Sequence, residues 1–404
     1  MKSIELFAGA GGLGIGVSLA GFHPVEVVEW DDYCCDTLRE NQRRRIAPVS
    51  TWPLIQGDVR EVDFSRHEGH VQLVTGGPPC QPFSIGGKHR AYDDARDMFP
   101  QAVRALREAK PLAFIFENVK GLTRPTFGNY FEYIRLQMNH PEITIRSDES
   151  WSGHLARLEQ HETSGSRKGL HYNVVIHLAN AANHGVPQRR ERVFFVGFRN
   201  DLDIAWSFPR ETHSVEALAW DQSRKGSYWD RHEAPLKGRS VSEWAKKSAA
   251  SQDQPPQTKP WRTVRDALLG LPDPELAPNL AKQHLNHRFQ PGARSYVGHT
   301  GSPLDQPAKT LKAGVHGVPG GENMLLKPDG SVRYFSVRES ARLQTFPDNF
   351  LFHGAWSETM RQLGNAVPVT LARIVAEDVM SQLESRIDQR TLQSSRQNKS
   401  RSKH

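Results

Sequence analysis

The run Gly9-Ala10-Gly11-Gly12-Leu13-Gly14 constrains this chain more than any other stretch. It matches G-x-G-x-x-G, follows the apolar residues 3–8 directly, and opens a segment of helical character to about residue 20. Glu29 falls 20 residues after Gly9, at the end of the next strand-like run, 24–29. Strand, glycine turn, helix, strand and acid in this order form the dinucleotide fingerprint. The glycines let the backbone approach a ligand closely, and the acid binds ribose hydroxyls. S-adenosylmethionine carries the same two free hydroxyls, so the spacing leaves a nicotinamide dinucleotide and S-adenosylmethionine both open. Asp58, after Leu54-Ile55-Gln56-Gly57, stands where a third strand would end.

The pattern continues. Residues 32–45 read as helix with Arg39, Glu40 and Arg43 outward, 71–75 as a short strand, 99–109 as helix and 112–116 as an apolar strand. Residues 172–179 and 193–198 add two more strands. Strands alternating with helices predict an α/β fold with a doubly wound, mostly parallel sheet, its ligand site at the C-terminal strand ends. The texture changes near residue 199. From there to about 333 the chain is rich in Pro, Gly, His and Trp, and 220–256 reads as loop. Helical spacing returns at 337–344 and 366–383, while 385–404 is polar, basic and expected to be disordered. The expected division is a cofactor-binding domain over 1–199, a smaller irregular domain over 200–335, a returning segment over 336–384 and a tail over 385–404.

Charge points weakly toward nucleic acid. The net charge is +7, but residues 1–199 hold 24 basic and 23 acidic groups, and the last 24 residues hold 6 and 2. A mean hydropathy of −0.60 and the lack of any run of about 20 apolar residues exclude a membrane-spanning protein. Glu5 comes too early for a signal peptide, so a cytoplasmic protein is expected. Three cysteines, Cys34, Cys35 and Cys80, suit neither a disulfide framework nor a zinc site. Cys34 and Cys35 sit on a helix and read as buried filler. Cys80 differs: Gly76-Gly77-Pro78-Pro79-Cys80-Gln81-Pro82-Phe83-Ser84 follows a strand, so the thiol faces the ligand crevice and the prolines hold its backbone. A thiolate nucleophile there needs nearby cations. Arg190 and Arg192, alternating before a strand, share one face and could supply them.

Pro78-Pro79-Cys80-Gln81-Pro82-Phe83-Ser84 resembles the nucleophile loop of the C5-cytosine DNA methyltransferases. The resemblance runs in order along most of the chain. Glu5-Leu6-Phe7-Ala8-Gly9-Ala10-Gly11-Gly12 resembles the family's cofactor loop, with Glu5 where many members carry Asp. Glu29-Trp30 resembles its ribose-binding pair and Gly57-Asp58-Val59 its adenine-contacting turn. Glu117-Asn118-Val119 resembles its ENV motif and Gln188-Arg189-Arg190-Glu191-Arg192 its arginine motif. Arg338-Glu339-Ser340-Ala341-Arg342-Leu343-Gln344 and Gly364-Asn365-Ala366-Val367-Pro368 resemble the last two motifs.

The resemblance implies a Rossmann-like, S-adenosylmethionine-dependent methyltransferase with a target-recognition domain over 200–335. It implies Cys80 as nucleophile toward cytosine C6, Glu117 as a protonated carboxyl near N3, and Arg190 and Arg192 in the active site. It implies cofactor contacts from Phe7, Gly9, Gly11, Gly12, Glu29, Trp30, Asp58, Pro79, Asn365 and Val367. DNA contacts are expected from Ser84, Lys88 and Arg90 on a closing loop and from the Thr310-Leu311 pair. The substrate is duplex DNA with the target base flipped out. The expected setting is restriction–modification, with a cognate endonuclease as partner and the methyltransferase itself a monomer. An RNA cytosine-5 methyltransferase with a related core is the nearest alternative. An NAD-dependent oxidoreductase would leave Cys80, Glu117 and the arginine motif without a role.

Overall fold

The computed structural model describes residues 1–79, 97–165, 169–225, 227–233, 239, 241, 243–250, 254–313 and 323–401, with backbone alone for 224, 225, 244 and 391–401. The main sheet comprises β1 (Lys2–Leu6), β2 (His23–Glu29), β3 (Leu54–Gln56), β4 (Leu73–Gly76), β5 (Ala113–Val119), β6 (Tyr172–Asn180) and β7 (Glu191–Arg199). Its order is β3-β2-β1-β4-β5-β7-β6. Neighbours from β3 to β5 are parallel, and β7 alone runs against both β5 and β6. The expected doubly wound, mostly parallel sheet is therefore present. The winding reverses between β1 and β4, which opens a crevice at the strand ends that carry the glycine loop and Pro78-Pro79.

Helices cover both faces. They are α1 (Gly12–Leu19), α2 (Asp32–Arg43), α3 (Phe99–Ala109), α4 (Gly128–Asn139) and α5 (Trp151–Thr163). Alternate residues of β5 feed opposite cores. Phe114 and Phe116 join Phe99, Ile134 and Tyr172 on one face. Ile115 joins Leu13 and Val17 of α1 with Leu371, Val375 and Val379 on the other. A third cluster under the cofactor end combines Ile15, Leu38 and Trp52 with Phe346, Phe350 and Leu363.

Beyond β7 the elements are short: β8 (His213–Ser214), α6 (Val215–Trp220), α7 (Ser227–Arg231), α8 (Glu243–Ala250), β9 (Lys259–Pro260), α9 (Val264–Leu268), α10 (Pro278–Ala281), β10 (Ser302–Pro303), β11 (Met324–Leu326) and β12 (Val332–Tyr334). The chain closes with α11 (Val337–Leu343), α12 (Trp356–Asn365) and α13 (Val369–Arg401).

Two expectations are corrected here. Residues 220–256 are not loop throughout, since α7 and α8 lie among their described residues. Their apolar residues are too sparse for a periodic signal, but Leu218, Tyr228 and Trp229 complete one cluster with Val241 and the distant Trp261. The tail is not disordered through its length, since α13 runs to Arg401. No glycine or proline interrupts it, and Arg, Gln, Glu and Leu favour helix. Arg386 and Arg390 tie it to Asp203 and Asp201 at 3.7 and 3.4 Å. Among the described residues, no helix is long and apolar enough to cross a membrane.

Candidate active site

The cofactor end is built by backbone conformation. Phe7, Gly9 and Gly11 adopt φ of 54°, 55° and 91°, so three of five residues turn left-handed and swing the chain from β1 into α1. Phe7 is half-buried against the core. Gly12 must lack a side chain, because a Cβ there would collide with the Val367 carbonyl. The loop after α12 thus lies against the cofactor loop. Val367 is buried, and Asn365, two residues earlier, is exposed.

Glu29 locks this loop. Its Oε2 accepts from Gly9 N at 2.6 Å, and its Oε1 accepts from Trp30 N at 2.9 Å and Asp31 N at 2.8 Å. Burial raises its pKa, and the three N–H donors oppose that rise. Trp30 beside it presents an indole that is 73% exposed. Asp58 is on the next strand end, but Arg60 Nε donates to its Oδ1 at 3.0 Å and its Oδ2 at 2.9 Å and lowers its pKa. Two further residues support the loop, of which only Glu5 carried a sequence signal. Trp52 lies behind Gly11 and Gly14. Glu5 is buried, accepts from Thr75 Oγ1, and burial pushes it up to about 8.

The catalytic end lies at β4 and β5. Asn118 Nδ2 donates to Pro78 O at 2.9 Å, and Met98 N donates to the carbonyl of the exposed Pro79 at 3.0 Å. These contacts tie Pro78 to β5 and Pro79 to Met98. Cys80, Ser84, Lys88 and Arg90 lie outside the described residues. Cys34 and Cys35 are buried free thiols. Glu117 is 6% exposed, and its Oε2 would lie 3.4 Å from a Cβ on Gly77, three residues before Cys80. Burial raises its pKa, against the opposing fields of Arg192 and Arg190. Arg192 Nε sits 2.6 Å from Glu117 Oε1 as an ion pair, yet off the hydrogen-bond axis.

Arg190 is placed differently from Arg192. It is fully buried and donates to the Leu311 and Gly364 carbonyls, rather than facing the crevice. The Thr310-Leu311 pair also divides. Thr310 Oγ1 donates to Arg189 O at 2.7 Å near the surface, whereas the Leu311 side chain is buried in the small cluster with Val264, Phe335 and Leu343. The Leu311 side chain is therefore packed away, and Thr310 is the one of the two that stays near the surface. Arg189 is exposed. The structure thus gathers Phe7, Gly9, Gly11, Gly12, Glu29, Trp30, Asn365 and Val367 around one loop, and Glu117, Arg192 and Pro79 around another.

Comparisons with known proteins fit this arrangement. A family model described as C-5 cytosine-specific DNA methylase matches residues 1–141 and 166–381. The stretch left out, 142–165, holds α5. The chain is 31% identical over 389 residues to the Type II methyltransferase M.PspPI of Psychrobacter sp. (strain TA137), covering 95% of this chain and 79% of that protein. It is 30% identical over 388 residues to the Type II methyltransferase M.Eco47II of Escherichia coli, covering 94% and 79%. Among solved structures, a candidate DNA modification methyltransferase encoded within an E. coli prophage aligns at a TM-score of 0.56 and 21% identity, covering 95% of this chain and 99% of that one.

Proposed function

The chain belongs to the C-5 cytosine-specific DNA methylase family and methylates cytosine at C5 in DNA, as Type II restriction–modification methyltransferases do; on that premise we propose how its residues divide the work. Cytosine C5 is too weak a nucleophile to take a methyl group unaided. Addition of the Cys80 thiolate to C6 converts the ring to an enamine whose C5 can. That addition builds negative charge toward N3. Glu117 relieves it by holding a proton there.

The observation that carries this reading is Glu117 itself: a buried carboxyl with a raised pKa, packed against the glycine that leads into Pro78-Pro79-Cys80. Arg192, beside it, is the cation for the cytosine O2 edge. Loss of the C5 proton to water then expels Cys80 and restores the aromatic ring. The target base leaves the duplex for this pocket, at a cost of a few kcal/mol in lost stacking. Ser84, Lys88 and Arg90 close over the DNA, with the two cations on phosphates.

The residues at the cofactor end fit S-adenosylmethionine. A Cβ on Gly9 would meet nothing within 4 Å, so the loop has open space above it. Glu29 receives the ribose hydroxyls, the exposed Trp30 indole covers the adenine, and Phe7, Gly11, Gly12, Pro79, Asn365 and Val367 bound the pocket. Asp58 meets the adenine amino group only if it releases Arg60. When bound, S-adenosylmethionine supplies a methyl group on a sulfonium sulfur. Residues 200–335 read the DNA sequence. The enzyme acts as a cytoplasmic monomer alongside a cognate endonuclease.

Bisulfite sequencing of DNA from cells expressing the protein tests the activity and gives the target site. Wild-type protein leaves protected cytosines at one short motif, and Cys80→Ala leaves none while still binding duplexes of that motif. Protection by Cys80→Ala overturns the covalent mechanism.

A further inference from the structure

Three stretches far apart in sequence meet around Arg190. Its Nη1 donates to Leu311 O at 2.9 Å and its Nη2 to Gly364 O at 2.6 Å. The side chain is fully buried, and its Nε has no hydrogen-bond partner among the described residues. The joint extends on both sides. Ala308 N donates to Pro187 O at 2.9 Å and Arg189 N to Ala308 O at 2.8 Å, as in a short parallel bridge. Gln188 Oε1 accepts from Leu311 N at 2.9 Å, and Thr310 Oγ1 donates to Arg189 O. Across the joint, Gly364 is pressed so tightly on Lys312-Ala313 that a Cβ would collide with their backbone. Three residues on, the Val367 carbonyl rests on Gly12 of the cofactor loop.

We propose that Arg190 is a positioning residue that couples the two binding sites: it fastens the Thr310–Ala313 segment of the recognition region to the Gly364–Val367 segment that backs the cofactor loop. A ligand that orders one segment therefore orders the other. The planar guanidinium fork suits this task, because it reaches two carbonyls at a fixed angle, whereas a lysine ammonium reaches one as a flexible point charge. The inference rests on the reading of Gly9–Gly12 and Glu29 as the cofactor site. It separates the two arginines, with Arg192 at the base and Arg190 at the joint.

The test is calorimetric binding of S-adenosylhomocysteine with no DNA, with a duplex carrying the bisulfite-mapped motif, and with a scrambled duplex. In wild-type protein the motif duplex tightens S-adenosylhomocysteine about fivefold or more, the lower range of coupling between linked sites, and the scrambled duplex does not. Arg190→Lys binds S-adenosylhomocysteine alone within about threefold of wild type but loses the tightening. Arg192→Lys loses turnover and keeps it. If Arg190→Lys does not fold, Arg190→Met removes the same two hydrogen bonds without leaving a buried charge and loses most of the tightening. No tightening in wild type, or full tightening in whichever of these two joint variants is measured, overturns the proposal. Absence of any S-adenosylhomocysteine binding by wild-type protein instead overturns the cofactor reading beneath it.

Discussion

At the centre of the sheet, Ile4, Val74, Phe114, Ile115, Phe195 and Val196 are wholly buried within two apolar clusters. Residues 200–335 are held differently. Tyr228 OH bonds Thr263 Oγ1 and Asp305 Oδ1 at 2.9 and 2.8 Å, Arg265 Nε meets Asp305 at 2.6 Å, His232 meets Asp266 at 2.9 Å, and Arg333 pairs with the buried Glu339 at 2.7 Å. Their apolar clusters are small by comparison. Apolar burial stabilises in proportion to area and tolerates many arrangements. Buried polar pairs add little net stability but demand one geometry, because a lost partner leaves a desolvated group behind. The sheet is thus a stable platform, and residues 200–335 are a defined but less deeply cored region.

Glu117 is a titratable group buried in the platform beside Arg192, and it gives the largest expected effect. Glu117→Gln lowers kcat about 10²- to 10⁴-fold, the usual worth of a positioned acid. The wild-type profile has a sign. Burial raises the folded pKa above the ordinary glutamate range, so the active, protonated form is lost as pH rises through that folded value. The same shift means that the stability this proton contributes, complete below the unfolded glutamate pKa, is lost over the same rise. A kcat–pH profile of Glu117→Gln that keeps the wild-type alkaline limb breaks the assignment.

Next in size, Phe114→Ala and Arg265→Met compare the two regions directly. Phe114→Ala leaves a cavity in the sheet and costs about 3–5 kcal/mol in global denaturant unfolding. Arg265→Met removes the cation from Asp305, which then keeps the Tyr228 hydroxyl, and costs about 1–3 kcal/mol, confined to faster amide exchange in residues 200–335 and weaker DNA binding. Equal global losses from both would mean that the regions unfold as one. The smallest effect expected is from Glu29→Ala, which raises the S-adenosylhomocysteine dissociation constant more than about tenfold while DNA affinity without cofactor stays unchanged. An unchanged constant removes Glu29 from the pocket.

Much of the platform was legible because its signals are local. Apolar strands, the glycine loop and Glu29 are each marked by neighbours a few residues away, and the helix over Phe99–Ala109 ends where its spacing ends. Helices α4, α5 and α12 carried no sequence expectation. The amphipathic signal of α4 and α5 is diluted by histidines and charges that pair with each other, as His140 does with Glu162 and Arg135 with Glu132. The sequence named candidate site residues but not the surroundings that separate them. Nothing in Gln188-Arg189-Arg190-Glu191-Arg192 distinguishes an arginine that holds carbonyls from one that faces a carboxyl.

By itself, then, the sequence determined the doubly wound sheet, the loops at its C-terminal edge and the order of motifs along the chain. These depend on backbone propensity and on apolar spacing, which act over short distances. Only the tertiary structure decided which polar groups are buried against which partners. Arg190 meets Leu311 and Gly364 across 121 and 174 residues of chain, and Glu117 meets the Arg192 side chain only because β7 turns back along β5. A hydrogen bond is decided by tenths of an ångström and by direction, and those are set where separate elements pack.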